Sequence, residues 1–178
     1  MTLRSGIYMV PRDRWYVERT VWLVAGAVLV TATALSLLVN PLFILLVVCT
    51  GLSSVAVALT GLCFVGSALL RLGFKPKIAD PGRGNGTWYF MQTDRWYLER
   101  RIYLVVGINI TIASILSLVH SVWWLAFIGF VGVAMFWFAS TGFCIMANML
   151  YWFGAEPRLG AERKALAAIQ AQGQPARA

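Results

Sequence analysis

The sequence predicts an all-α integral membrane protein, with four transmembrane helices arranged as two helical hairpins. Three observations carry that expectation. Mean hydropathy is +0.73, with 60% hydrophobic and only 12% charged residues, against roughly a quarter charged in a soluble domain. No charge lies between Arg19 and Arg71, or between Arg101 and Glu156. Each run far exceeds the ~20 residues of one bilayer crossing, so each holds two crossings and a turn. Finally, residues 8–77 align without a gap on residues 89–158 at a constant offset of 81. Asp13-Arg14-Trp15-Tyr16 and Glu18-Arg19 return as Asp94-Arg95-Trp96-Tyr97 and Glu99-Arg100, Gly26 as Gly107, and Thr60-Gly61-Leu62-Cys63 as Thr141-Gly142-Phe143-Cys144. A unit this short and apolar cannot fold alone in water, so the repeat defines the architecture.

The elements follow in order. Residues 1–77 form a first hairpin unit with crossings over 20–39 and 42–70, separated by Asn40-Pro41, a turn former followed by a residue that cannot continue a helix. Residues 78–88 contain Gly82-Arg83-Gly84-Asn85-Gly86. Without a preceding strand or the lysine-serine ending of a phosphate loop, this stretch is expected to be a flexible linker. Residues 89–158 repeat the hairpin with crossings over 102–119 and 122–153, turning at His120-Ser121. The second and fourth crossings exceed what a straight span needs and are expected to tilt or to extend beyond the lipid. Residues 159–178 form a tail, in which 161–169 suits a short surface helix that frays beyond.

Charge sets the orientation. All 15 Lys and Arg residues and all seven acids lie before the first crossing, between the second and third, or after the fourth. The positive-inside rule therefore puts both termini and the central loop on the cytoplasmic side. With an even number of crossings per unit, the repeats are parallel, related by a pseudo-two-fold axis along the membrane normal. The net charge of +8 is read as attraction to anionic headgroups, not as a nucleic-acid surface, for which no folded basic face outside the lipid is expected.

The repeated segment of Asp13, Arg14, Trp15, Tyr16, Glu18 and Arg19, with its copy Asp94, Arg95, Trp96, Tyr97, Glu99 and Arg100, sits at headgroup depth. Its aspartates can cap helix N-termini, its Arg and Glu four apart can pair on a helix face, and its aromatics suit the interfacial belt. It reads either as a device for entering the membrane or as a site for a headgroup or cytoplasmic partner. Ala32 with Ser36, and Ala113 with Ser117, put small residues four apart on the first and third crossings. These patches are expected to meet near the axis or to face a partner subunit. Cys63 and Cys144 occupy equivalent positions after Thr-Gly, so they are a candidate thiol pair. A reactive thiol requires a lowered pKa and solvent access, and the alternative is a small packing residue. Cys49 aligns with Phe130 and falls outside the pattern. One histidine, His120, cannot supply two haem ligands, and no acid lies within a crossing as a proton pathway would need. No cofactor, metal site or enzyme activity is expected.

Over Glu99-Arg100, Gly107, Thr141-Gly142-Phe143-Cys144-Ile145-Met146-Ala147 and Pro157, the sequence resembles the YgaP-type two-helix membrane domain, a family of unknown function often fused to a rhodanese. The first repeat matches more loosely, with Phe64-Val65-Gly66 in place of the Cys-x-Met-Ala continuation. The sequence departs from the pattern in fusing two hairpins and in showing no rhodanese segment, so the sulfurtransferase activity is not carried over. The resemblance implies an inner-membrane hairpin with a link to sulfur or redox metabolism.

Two functions are expected from different classes. One is a non-enzymatic accessory or scaffold subunit that packs into a larger membrane complex, alongside anionic lipids. The other is a sulfur-handling membrane protein, passing a persulfide through Cys63 and Cys144 or exporting a small sulfur anion.

Overall fold

The computed structural model describes residues 6–12, 14–83 and 86–159. Its helices are α1 (Val17–Leu38), α2 (Ile44–Thr60), α3 (Phe64–Arg71), α4 (Leu98–Val119), α5 (Trp123–Thr141) and α6 (Ile145–Trp152), with a 3-10 turn over Pro41–Phe43 ahead of α2. Four helical segments, Val17–Leu38, Pro41–Thr60, Leu98–Val119 and Trp123–Thr141, are long and apolar enough to cross a membrane. The chain is accordingly an all-helical, multi-pass membrane protein.

The long second and fourth helices expected from hydropathy are each two helices. Gly61 and Gly142 end α2 and α5 in the left-handed region, at φ 81° and 75°, which glycine adopts without a Cβ penalty. The surrounding residues complete a stop-and-restart. Thr60 and Thr141 turn their hydroxyls onto the amides of Leu62 and Phe143, each at 3.2 Å, and Cys63 and Cys144 are the N-caps of α3 and α6. Hydropathy cannot register such a break, because every residue across it is apolar or small.

Helix starts also move. α1 and α4 begin three to four residues earlier than expected, so that Glu18, Arg19, Glu99 and Arg100 lie in first turns and are buried. At the far turn, the Asn40 side chain accepts from the Leu42 amide at 2.9 Å, opening the 3-10 turn at Pro41.

The spans form a ring, and its packing crosses between the two halves of the chain. α1 packs chiefly on α5 and α4 chiefly on α2, with lighter contact inside each hairpin, while α1 and α4 meet through the Trp22 and Tyr103 rings at 6.2 Å. Closest approach comes where glycine faces glycine. A Cβ on Gly26 would lie 2.8 Å from the Gly132 carbonyl oxygen, and one on Gly107 would lie 2.8 Å from that of Gly51. Where lipid tails are as apolar as the helices, backbone proximity of this kind supplies the dispersion that holds them together. The Ala32/Ser36 and Ala113/Ser117 patches therefore do not meet across an axis. Ala32, Ser36 and Ala113 are buried, but Ser36 Oγ is 3.5 Å from the Pro41 carbonyl and Ser117 Oγ donates to the Ser114 carbonyl of its own helix.

The expected flexible linker is anchored at both ends. Ile78 is buried, the Asp80 amide donates to the Phe90 carbonyl at 2.7 Å, and the Gln92 amide donates to the Ile78 carbonyl at 3.1 Å. The expected helix over 161–169 lies outside the described residues.

Candidate functional site

The charged ends of the spans converge in a collar built from the repeated Asp-Arg-Trp-Tyr-x-Glu-Arg segments, α3, α6 and the strands of chain around them. Glu18 and Glu99 are the centre of each half. They are 1% and 0% exposed, and neither pairs with the arginine four residues before it. Glu18 accepts from the Lys77 amide at 3.0 Å, the Ile78 amide at 2.8 Å and the Tyr89 hydroxyl at 2.9 Å. Glu99 accepts from the Arg158 amide at 3.0 Å, the Leu159 amide at 2.9 Å and the Tyr8 hydroxyl at 2.8 Å. Each carboxylate thus binds the returning chain of its own hairpin and a tyrosine from the other. Burial, then the adjacent carboxylate, pushes the Tyr8 and Tyr89 phenols up, so both remain protonated donors.

Arg19 and Arg100 cross in the same way. Arg19 Nε donates to the Ala139 carbonyl at 2.6 Å and Arg100 Nε to the Ala58 carbonyl at 2.7 Å. A second donor reaches Ser140 at 3.2 Å and Leu59 at 3.4 Å respectively. These carbonyls belong to the last turns of α5 and α2, where a cation meets the negative end of the helix dipole and oxygens that the helix leaves unpaired. Trp15 and Trp96 cover the outer faces of the two guanidinium groups at 4.1 and 4.0 Å, a cation–π contact that also screens them from water.

Backbone pairing completes the exchange. The Val10 amide donates to the Gly142 carbonyl at 2.9 Å and the Met91 amide to the Gly61 carbonyl at 2.7 Å. Asn148 binds both the amide and the carbonyl of Tyr8 at 2.7 and 3.1 Å, while Ser67 Oγ accepts from the Tyr89 amide at 2.9 Å.

Other expected site residues take different roles. Tyr16 and Tyr97 are buried rather than interfacial, and Tyr97 donates to the Gln92 carbonyl at 2.8 Å. They occupy the N-cap positions of α1 and α4 without a capping side chain. Asp94 does not cap α4; it pairs with Arg158 at 2.6 Å, which holds its carboxyl below the usual aspartate range. Asp13 lies outside the described residues. Arg14 and Arg95 precede their helices and point their side chains to no described carboxylate.

Cys63 is 4% exposed and its sulfur accepts from the Gly66 amide at 3.2 Å. Cys144 is half-buried. Burial pushes both thiols up, against the smaller opposing effect of the helix amides, so neither is a thiolate near neutral pH. Asn109 donates to the Val105 carbonyl of its own helix at 2.8 Å. Among the described residues, no three His, Cys, Asp or Glu side chains come together as a metal site.

The pattern left Tyr8, Tyr89, Gly51 and Gly132 without a role, although each recurs at the offset of 81. Repetition was the available signal, because a residue kept in both copies at an unexplained place marks a shared contact. What the collar does chemically is to clamp: Glu18, Glu99, Arg19, Arg100, Tyr8 and Tyr89 are each held by fixed partners from the opposite half. No family model, curated protein or solved structure matches the chain.

Proposed function

We propose that this protein is a non-enzymatic accessory or scaffold subunit of a larger complex in a bacterial inner membrane. In this reading its two hairpins enter the bilayer in parallel, with the collar and both termini on the cytoplasmic side as the distribution of lysine and arginine favours. The resemblance to the YgaP-type domain supports a link to redox or sulfur metabolism.

The observation that carries the proposal is the outer face of α5. Trp123, Phe127, Phe130, Phe136 and Trp137 are all exposed there. The equivalent positions of the first half hold Leu42, in the 3-10 turn, and Leu46, Cys49, Val55 and Ala56 on α2. Lipid contact alone would be served equally by either set. Rigid aromatics bury large areas with little loss of side-chain entropy, and they dominate the energetics of protein interfaces. A surface that is aromatic on one half only fits one partner on one side.

A persulfide relay is less well supported. It requires an accessible thiolate, whereas Cys63 is buried, Cys144 is half-buried, and both serve as the N-caps of α3 and α6. Mild-detergent purification of the tagged protein from its host, followed by mass spectrometry, tests the proposal. Stoichiometric recovery with other membrane subunits, lost in Phe130→Ala/Trp137→Ala, is the expected result. Recovery of the chain alone, or only with a sulfurtransferase, overturns it.

A further inference from the structure

We infer that the second half of the chain holds one anionic phospholipid, its phosphate gripped by Arg95 and Arg101 and an acyl chain laid along Ile108, Ile112 and Ile115. A groove of about 650 Å³ opens in the collar, lined by Asp94, Arg95, Trp96, Arg101, Glu156 and Arg158 among others. Most of its charge is already committed. Arg158 is bound to Asp94 at 2.6 Å and lies over the Tyr97 ring at 5.3 Å, and Glu156 also has a partner. Two guanidinium groups remain. Among the described residues, the side chains of Arg95 and Arg101 meet no hydrogen-bond or ion-pair partner. Guanidinium forks match phosphate oxygens two at a time, and at headgroup depth they sit where a phosphodiester must lie.

The helix below Arg101 identifies the source of that phosphate. At 3.6 residues per turn, positions 108, 112 and 115 fall two, three and four turns further along the same face. All three are exposed isoleucines, at 43%, 51% and 53%. The stripe runs about 20 Å from Arg101, enough to cover the roughly 15 Å of hydrocarbon in one leaflet. A soluble phosphate ester has no use for such a stripe, whereas a diacyl lipid does. Trp96, 43% exposed beside Arg95, supplies an aromatic at the boundary between headgroup and chain.

The first half lacks this combination. Thr20, Ala27, Thr31 and Ala34 stand where Arg101, Ile108, Ile112 and Ile115 stand in the second, and Thr20 is buried with its hydroxyl on the Tyr16 carbonyl at 3.0 Å. The stoichiometry is therefore one lipid per chain, not two.

Native mass spectrometry of the full chain in a neutral detergent, titrated with phosphatidylglycerol, phosphatidylcholine or inorganic phosphate, tests the inference. One phosphatidylglycerol per chain is expected, with phosphatidylcholine much weaker. Arg95→Gln/Arg101→Gln should weaken binding about thirtyfold, from the loss of two cations at the surface. Ile108→Ala/Ile112→Ala/Ile115→Ala should weaken it without removing the preference for the anionic headgroup, and Arg14→Gln in the first half should leave it unchanged. Because the side chains of Arg95 and Arg101 hold no described hydrogen-bond or ion-pair partner, the thermal melt of Arg95→Gln/Arg101→Gln should match that of the parent. Undiminished phosphatidylglycerol binding by Arg95→Gln/Arg101→Gln, or equal binding of phosphatidylcholine, overturns the site. Displacement of the lipid by inorganic phosphate overturns the lipid assignment and makes the groove a site for a soluble phosphate ester.

Discussion

The two halves of this chain agree inside and differ outside. Facing inward, Glu18 and Glu99, Arg19 and Arg100, Tyr89 and Tyr8, and the Gly26–Gly132 and Gly107–Gly51 contacts match pair for pair. Facing outward, α5 is aromatic where α2 is aliphatic, and α4 carries Ile108, Ile112 and Ile115 where α1 carries Ala27, Thr31 and Ala34. The inner set cannot drift independently, because each member is bound to the opposite half: changing one residue strands a partner elsewhere in the sequence. The α5 aromatics and the α4 isoleucines are exposed, so they are freer to specialise. Function should accordingly be one-sided, on a scaffold whose stability is shared.

The largest test of that comparison is removal of a carboxylate. Glu18→Ala strands two amides and the Tyr89 hydroxyl, at about 1–3 kcal/mol for each buried group left unpaired. A loss of roughly 4 kcal/mol is expected in thermal or denaturant unfolding in mild detergent. Glu99→Ala should lose the same to within about 0.5 kcal/mol, whereas a large inequality would break the equivalence of the halves. A double-mutant cycle between Glu18→Gln and Tyr89→Phe should report coupling across the halves. Next come the glycine contacts. Gly26→Ala and Gly107→Ala push a Cβ against a facing backbone and should cost about 1–3 kcal/mol each. Smaller again, Phe130→Ala and Trp137→Ala should change stability by no more than about 0.5 kcal/mol while abolishing partner recovery. If they destabilise the isolated chain, the aromatic face is part of its own fold.

The smallest effect is the Asp94–Arg158 pair. The folded-state pKa of Asp94 is depressed, so its contribution is present above the ordinary aspartate range and fades as pH falls through the depressed value. The pair is half-exposed, at 34% and 52%, and solvent screening keeps the contribution small. Asp94→Asn should remove only that shallow acid dependence.

The four spans, their turns and the clustering of charge at one end were legible in the sequence, because burying uncharged backbone in hydrocarbon requires long unbroken apolar helices and excludes charge from their middles. Repetition also marked the residues that matter, down to Tyr8 and Tyr89 at the start of the aligned segment. The places where legibility stopped have physical causes. Gly61 and Gly142 break the helices through a backbone angle, to which hydropathy is blind. Glu18 lies four residues from Arg14, a spacing that suggests an ion pair on a helix; with α1 starting at Val17, Arg14 is off the helix and the carboxylate turns to amides sixty residues away.

Sequence by itself determined which segments enter the membrane and which residues recur, since both depend on local composition and on comparison of the chain with itself. Only the tertiary structure decided which copy each residue serves. Pairing within a hairpin and pairing across hairpins bury the same residue types at the same depth, and no one-dimensional pattern separates them. The choice falls to the close approach of Gly26 to Gly132 and of Gly107 to Gly51, and to the arginines that reach across to cap the opposite helices. Those contacts exist only once both hairpins are in place.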